Sequence, residues 1–529
     1  MKELNINELT LKQKLGMTMV ASVTPYMKNP DEELEAVLKL IRERALGGVW
    51  VHVHLKNREE VMRKIKDAAD YPILIISAAE TGLDEFVFGS HNAIGITGSE
   101  ELSYIAGKVV GVTARKLGYN VINQPVLEIQ RGTSVCGKCM RSFGSDKEKV
   151  AALAVAMVEG MHDGGILAFS KHYPSSNNTY NIDSHMAEAY SEDTMEDLLN
   201  SNLYPYFELM KRDLLDGIMT QHFKLVNIDP DYPASLSKKV IDVIRNQGFD
   251  GVAITDALSM MGIVAKFGKK DPMGIAIQAG NDLTLPWEDN KGAYEAVCEC
   301  YEKGMIPDDV LNNAVRRVLE AQHKAMQLPK DTELTAEDIK KFEKITTDSI
   351  YEYRDEGVSA AISRDGKHLF AIQVFTDCEI NDQGKVSVDT FNNGFYYPDR
   401  IMEKLDSLFP NSKTRAISQF PSAAQVQTLL EESVNYEDVI FITFVDAVAY
   451  IGKECFTSRI ISIIEAMQVT NKISALVHFG NPYPLEELAH IPRIVVGTVS
   501  SEKNVYNALE VLAGNYPAKG VPTYDISLK

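Results

Sequence analysis

The chain of 529 residues has little of what marks membrane, secreted or nucleic-acid-binding proteins. No uninterrupted apolar run approaches the roughly 20 residues needed to cross a bilayer. Positive charge is in deficit: 54 Lys and Arg stand against 74 Asp and Glu, a formal net charge of −20. That balance argues against nucleic acid and anionic membranes as partners. Cysteine is scarce, and six residues form no dense disulfide framework, which suits a reducing compartment. The opening Met1-Lys2-Glu3-Leu4-Asn5-Ile6-Asn7-Glu8-Leu9-Thr10 has no basic segment followed by an apolar one, so no secretory signal is expected. The expectation is a soluble cytoplasmic protein. Also missing are the GxGxxG and P-loop glycine patterns and any basic–aromatic interleaving, so nucleotide and nucleic-acid readings lack support. There is no internal repeat or low-complexity segment.

What is present is ordinary globular composition, 45% hydrophobic and 24% charged, on a chain too long for one core. Short β-rich runs at 17–21, 48–55, 72–78, 121–127, 165–169, 217–222, 251–255 and 282–285 alternate with amphipathic stretches at 31–46, 58–69, 100–117, 146–162, 192–214 and 235–246. Eight strands alternating with helices predict parallel βαβ units closed into a (β/α)8 barrel over 1–330, whose strand-end loops carry the chemistry. A charged connector at 331–350 follows. New strands at 368–374, 439–444, 473–478 and 493–499 then predict a smaller α/β layered domain over 351–529.

Two strand ends are rich in chemistry-bearing residues. The run 165–169 delivers a polar, loop-like segment that begins Ser170-Lys171-His172-Tyr173-Pro174 and ends Asp183-Ser184-His185. The strand 251–255 places Asp256 at its tip. A carboxylate held rigidly there suits nucleophilic attack on a sugar carbon, although an aspartate before Ala257-Leu258-Ser259-Met260 could equally cap a helix. Asp183 beside His185 could fix the imidazole tautomer and hold a proton for a leaving group; the bland alternative is a surface histidine near an unrelated aspartate. Lys171 and His172 could donate to sugar hydroxyls or simply line a barrel rim. Arg141 could equally be a surface ion-pairing residue. Cys136-Gly137-Lys138-Cys139 lacks a second ligand pair for zinc, and His52 with His54 lacks a third ligand, so no metal site is expected.

Taken jointly and in order, these segments resemble glycoside hydrolase family 3, in its bacterial β-N-acetylglucosaminidase branch. The resemblance runs from Leu9-Thr10-Leu11 through Asn123-Gln124-Pro125, Arg141-Ser142-Phe143-Gly144, Lys171-His172-Tyr173-Pro174 and Ile182-Asp183-Ser184-His185. It continues through Pro233-Ala234-Ser235, Ile254-Thr255-Asp256 and Gly280-Asn281-Asp282, and reaches Phe479-Gly480-Asn481-Pro482 in the second domain. It implies a barrel followed by a three-layer α/β sandwich, and a retaining exo-β-glycosidase, most simply a β-N-acetylglucosaminidase serving cell-wall recycling, with no cofactor and no metal. Asp256 would be the nucleophile and His185 the acid/base, oriented by Asp183. Arg141, Lys171 and His172 would bind the sugar of a small glycoside, with His222 a further contact. An imidazole acid becomes neutral on deprotonation and so repels an anionic acceptor less than a carboxylate would.

Two departures bear on the substrate. Ala78 stands where the family has a sugar-binding aspartate, so Glu80 or Asp84 would have to replace that contact. A glycine-rich loop gives way to Ser175-Ser176-Asn177-Asn178-Thr179-Tyr180-Asn181, which removes backbone freedom. A different glycone, a phosphorolytic reaction, or a sugar-binding protein on a lapsed site are the alternatives. The sequence indicates no oligomeric state.

Overall fold

A computed structural model describes residues 3–131, 141–177, 182–287, 289–374, 377–380, 386–389, 398–445, 456–498 and 502–524. The first sheet comprises β1 (Val20–Val23), β2 (Gly48–Val51), β3 (Leu74–Ser77), β4 (Val121–Ile122), β5 (Leu167–Tyr173), β6 (Gly217–Thr220), β7 (Val252–Ala257) and β8 (Leu283–Leu285). All pair in parallel and in chain order. A bridge between Met19 and Thr284, with Thr284 N–H donating to Thr18 O at 2.9 Å, brings β8 round to β1 and nearly closes the ring. This is the expected (β/α) barrel.

Parallel strands covered on both faces read as continuous apolar runs, which is why these were visible in the sequence. Val20, Leu74, Ile76, Val121, Leu167, Phe169, Met219, Val252, Ile254 and Leu283 share one apolar cluster with Val318, Ala321 and Ala325 of the helix Asp308–Gln327. Burial of each large side chain stabilises by about 1.5–3 kcal/mol. Helices Glu100–Leu117 and Lys147–Asp163 begin on capping residues, Ser99 and Asp146, whose side chains accept first-turn N–H groups. They approach closely because a Cβ on Gly107 would sit 2.0 Å from Met157 O, and one on Gly160 2.1 Å from Tyr104 O.

Three expectations differ in detail. The run 121–127 is a strand only to Ile122; beyond it Leu127 N–H donates to Lys171 O at 2.6 Å, so the chain crosses towards β5. The helix expected at 192–214 is broken into Met195–Asp197, Leu198–Asn202 and Tyr204–Met210, with Pro205 unable to donate into a continuous ladder. β5 runs on to Tyr173, fully buried, where a loop-like segment is expected. Two of its polar residues, Lys171 and His172, are strand residues partnered by Glu80 and Glu128.

The described residues form two compact units, one of 3–86, 99–131 and 142–342, the other of 87–98, Arg141 and 343–524. In the second, strands β9 (Tyr351–Arg354), β10 (His368–Val374), β11 (Lys413–Ser418), β12 (Asp438–Val445), β13 (Ile473–Gly480) and β14 (Arg493–Gly497) lie in the order β9-β14-β13-β12-β10-β11. Only β9 runs antiparallel to its neighbour. Residues alternate between faces: Leu369 and Ala371 join one core with Ile460 and Ile464, while Phe370 and Ile372 join another with Leu405 and Leu509. Helices on both faces make three layers. Residues 87–98 enter this unit through Ile96, which sits in its core, and Asn92, whose Nδ2 donates to Thr523 Oγ1 at 2.9 Å.

Candidate active site

β7 turns polar at its end. Asp256 is its penultimate residue, and its Oδ1 accepts the Ala257 N–H at 2.8 Å. The following helix, Met261–Phe267, starts after Met260 with no side-chain cap, so Asp256 is not a helix cap. Burial by itself pushes the Asp256 carboxyl up. Electrostatic interaction with the imidazoles of His222, His172 and His185, helped by the Ala257 N–H, outweighs it and holds the group below its ordinary value. An ionised carboxylate with one oxygen tethered has the charge and fixed position that nucleophilic attack requires.

The loop after β5 carries the second group. His185 Nδ1 meets Asp183 Oδ1 at 2.8 Å, and the same oxygen accepts the His185 backbone N–H at 2.9 Å. Asp183 is buried, whereas the His185 side chain is 32% exposed, enough for its outer nitrogen to meet a substrate. A carboxylate at Nδ1 selects the tautomer protonated there, so the exchangeable position is Nε2. This loop is fastened to the residues after Asp256: Met261 N–H donates to His185 O at 3.2 Å and Gly262 N–H to Ser184 O at 3.0 Å. The fastening needs glycine, because a Cβ on residue 262 would lie 2.7 Å from Ser184 O and 2.8 Å from Ala187 O.

β5 supplies two further polar side chains. Lys171 Nζ pairs with Glu80 Oε1 at 2.5 Å, and the ammonium offers three donors, of which Glu80 takes one. His172 Nδ1 donates to Glu128 Oε1 at 2.6 Å, and its backbone N–H to Oε2 at 3.3 Å. Glu128 is buried, and a buried carboxylate is tolerated only when partnered in this way. Sequence reasoning does not single out Glu128; the available signal is a charge inside the apolar run Val126-Leu127-Glu128-Ile129.

The remaining expected residues fall as follows. His222 is buried, with Nε2 donating to Ala257 O at 2.9 Å and Nδ1 accepting from Ser235 Oγ at 2.8 Å. Both ring nitrogens are therefore committed to protein. Burial lowers its pKa despite the opposing pull of Asp256. Asp84 is taken by Arg58, whose two terminal nitrogens donate to its oxygens at 2.9 and 2.7 Å. Of the two candidates to replace the contact absent at Ala78, Glu80 alone reaches another expected site residue. Arg141 falls with the second unit. In the altered loop, Ser175 Oγ donates to Leu127 O at 3.1 Å and Asn177 N–H donates to Asp193 Oδ2 at 2.8 Å. Residues 178–181, and Cys136 with Cys139, lie outside the described residues. Among the described residues, no cluster of His, Cys, Asp and Glu could hold a metal ion, and no helix is long and apolar enough to cross a membrane.

A parallel barrel with an ionised aspartate on one strand end and an aspartate-bound histidine on the loop after another is an arrangement suited to an enzyme that cleaves glycosidic bonds. Residues 10–321 match the family model described as Glycosyl hydrolase family 3 N terminal domain, and the chain belongs to that family as a glycoside hydrolase. Among curated relatives, a Beta-hexosaminidase of Tolumonas auensis is 29% identical over 269 residues, 48% of this chain and 79% of that protein. One from Pseudomonas aeruginosa is 31% identical over 212 residues, 40% of this chain and 62% of that protein. The fold resembles that of a family 3 β-N-acetylglucosaminidase from Paenibacillus sp. str. FPU-7, with a TM-score of 0.80 at 24% identity over 98% of this chain and 100% of that one. A Beta-glucoside phosphorylase, BglX, superposes with a TM-score of 0.82 at 19% identity over 99% and 95%.

Proposed function

We propose that the protein is a retaining exo-β-N-acetylhexosaminidase acting through a covalent glycosyl-enzyme. Asp256 attacks the anomeric carbon while His185 Nε2–H protonates the leaving oxygen. Water then cleaves the glycosyl–aspartate bond as His185 takes its proton back. Asp183 keeps the imidazole in the tautomer that can do both. Lys171 and His172, with Glu80 paired to Lys171, bind the glycone. The observation that carries this reading is the double backbone tether from Met261 and Gly262 to the His185 loop, which ties nucleophile and acid to one piece of chain. The names of the relatives support the amino-sugar glycone.

The test is turnover of a panel of nitrophenyl glycosides, with product stereochemistry followed by NMR. Retained configuration with N-acetyl-β-glucosaminide, abolished in Asp256→Ala, is expected; inversion, or a fully active variant, ends the proposal. A second reading, transfer to phosphate, is favoured by the imidazole acid, whose neutral basic form tolerates an anionic acceptor, and by the likeness to a phosphorylase. Rates with and without phosphate, with the product identified as sugar or sugar phosphate, separate the two.

A further inference from the structure

The two tryptophans of the chain meet at the barrel mouth, where the proposed mechanism leaves them idle. Trp50 lies on β2 and Trp287 two residues beyond β8, with ring centroids 5.7 Å apart at 64°. His52, just past β2, stands edge-on to Trp287 at 6.4 Å and to Tyr26 at 5.8 Å. In an eight-strand ring the first strand faces the fifth, so Tyr26, beyond β1, lies across the mouth from Lys171 and His172. Trp287 is close to the reaction centre. Leu285 pairs with Ala257, and Leu258 N–H donates to Leu285 O at 2.9 Å. With strands about 4.8 Å apart and about 3.3 Å of rise per residue, residue 287 lies within roughly 11 Å of Asp256.

This wall is uncharged and carries two donors that the protein leaves idle. His52 Nδ1 accepts the His54 backbone N–H at 3.2 Å, which puts the ring proton on Nε2. Burial, and then the neighbouring His54, lower the His52 pKa to about 4, so the ring is neutral in ordinary conditions. Its Nε2–H donates to no described residue. The Trp50 Nε1–H is buried and also lacks a partner among the described residues. Trp287 is held at φ 68°, a left-handed conformation that costs a bulky residue about 1–3 kcal/mol and persists where surroundings or function demand it. From Trp50, 6% exposed, to Tyr26, 74% exposed, the aromatic surface climbs from the barrel interior to its rim. A pyranose offers such a surface a flat C–H face to stack on and equatorial hydroxyls for an edge-on donor.

We propose that Tyr26, His52 and Trp287 form the subsite for an uncharged leaving-group pyranose, which stacks on the aromatic rings and accepts a hydrogen bond from His52 Nε2–H. This rests on the glycosidase reading and adds the class of leaving group to it. The glycone occupies the polar side of the mouth, between Asp256 and the Lys171–His172 pair. The sugar beyond the scissile bond follows the aromatic wall outward.

The test compares a β-linked disaccharide with the β-fluoride of the same glycone, in the wild type and in Trp287→Ala, His52→Leu and His52→Gln. Fluoride departs without occupying a sugar subsite. For the disaccharide, kcat/KM is expected to fall about tenfold in Trp287→Ala and about fivefold in His52→Leu, while fluoride turnover changes by less than twofold. His52→Gln, which keeps an N–H donor, is expected to regain most of the loss. Equal losses on both substrates, or no loss on either, overturn the subsite, and thermal unfolding of each variant shows whether an equal loss reflects damage to the fold. A wild type that uses the fluoride but not the disaccharide also overturns it. A wild type that uses neither sinks the glycosidase reading itself.

Discussion

Replacing Gly262 with alanine puts two rules in opposition. The residue lies in the first turn of the helix Met261–Phe267 and is not in a left-handed conformation, so helix propensity alone favours alanine by about 1 kcal/mol. Packing says otherwise. The new methyl would sit 2.7 Å from Ser184 O and 2.8 Å from Ala187 O, where ordinary contact begins at 3.4 Å, so the loop must retreat by 0.6–0.7 Å. Both obstacles are backbone carbonyls, which cannot swing aside as a side chain would. Overpacking of this kind costs about 1–3 kcal/mol, leaving a net destabilisation of about 1 kcal/mol and a fall of a few degrees in Tm. The catalytic effect is larger. The loop carries His185, and since a misplacement of about 1 Å can cost about 100-fold, a shift of this size should cost roughly 10- to 50-fold in steps that need its proton. The assay is kcat/KM for an alkyl or sugar glycoside against that for a dinitrophenyl glycoside, whose leaving group needs no proton. A variant that cleaves both at the wild-type ratio, with unchanged Tm, would refute the coupling of the two segments.

Other consequences can be measured directly. Because the Asp256 carboxyl is held below its ordinary value of about 3.9, it stays ionised as pH falls to that point, so the acid limb of kcat/KM should lie below about pH 4. His222→Gln should move that limb upward; a wild-type inflection near pH 5 would contradict the assignment. Glu128→Gln leaves His172 a neutral partner in place of a buried charge and should lower kcat/KM by about 10- to 100-fold, with Tm falling by a few degrees. In the second unit, His368 donates from Nδ1 to Asp438 at 2.6 Å and from Nε2 to Ser363 O at 2.7 Å. Burial pulls its pKa down, but these acceptors more than compensate and leave it raised. A raised histidine contributes stability that is complete below its unfolded value, about 6.5, and is lost as pH rises through the folded one. The Tm difference between wild type and Asp438→Asn should therefore be larger at pH 5.5 than at pH 9; an equal difference at both would place the effect in packing.

The barrel was legible because its strands are covered on both faces and so appear as unbroken apolar runs. The same criterion fails at sheet edges. β9 and β11 (Tyr351-Glu352-Tyr353-Arg354 and Lys413-Thr414-Arg415-Ala416-Ile417-Ser418) are half-exposed edge strands whose polar residues hide the pattern. It fails again within β5, where Lys171 and His172 look like a loop until Glu80 and Glu128, distant in sequence, supply their partners. Asp183 and His185 are two residues apart, and their contact could be anticipated from spacing. What spacing could not show is that the loop holding them is tied to Gly262, because that bond depends on how two strand-end segments pass each other. The inward turn of His222 was equally hidden. It depends on Ser235, thirteen residues on, and on the carbonyl of Ala257.

The helix His91–Thr97 lies in the chain between β3 and β4, yet Ile96 belongs to the core of the second unit and its carbonyl accepts the Val521 N–H at 2.9 Å. The smaller unit is thus not a contiguous piece of sequence. A protein cut after the charged connector would leave the 351–529 fragment without Ile96, and would leave Asn92 on the other piece without Thr523 and Tyr524. The 351–529 fragment inherits an incomplete hydrophobic core, and the chain crosses between the units more often than a single linker would require. The separated 351–529 half should then express as insoluble protein that recovers only when the other half is supplied with it.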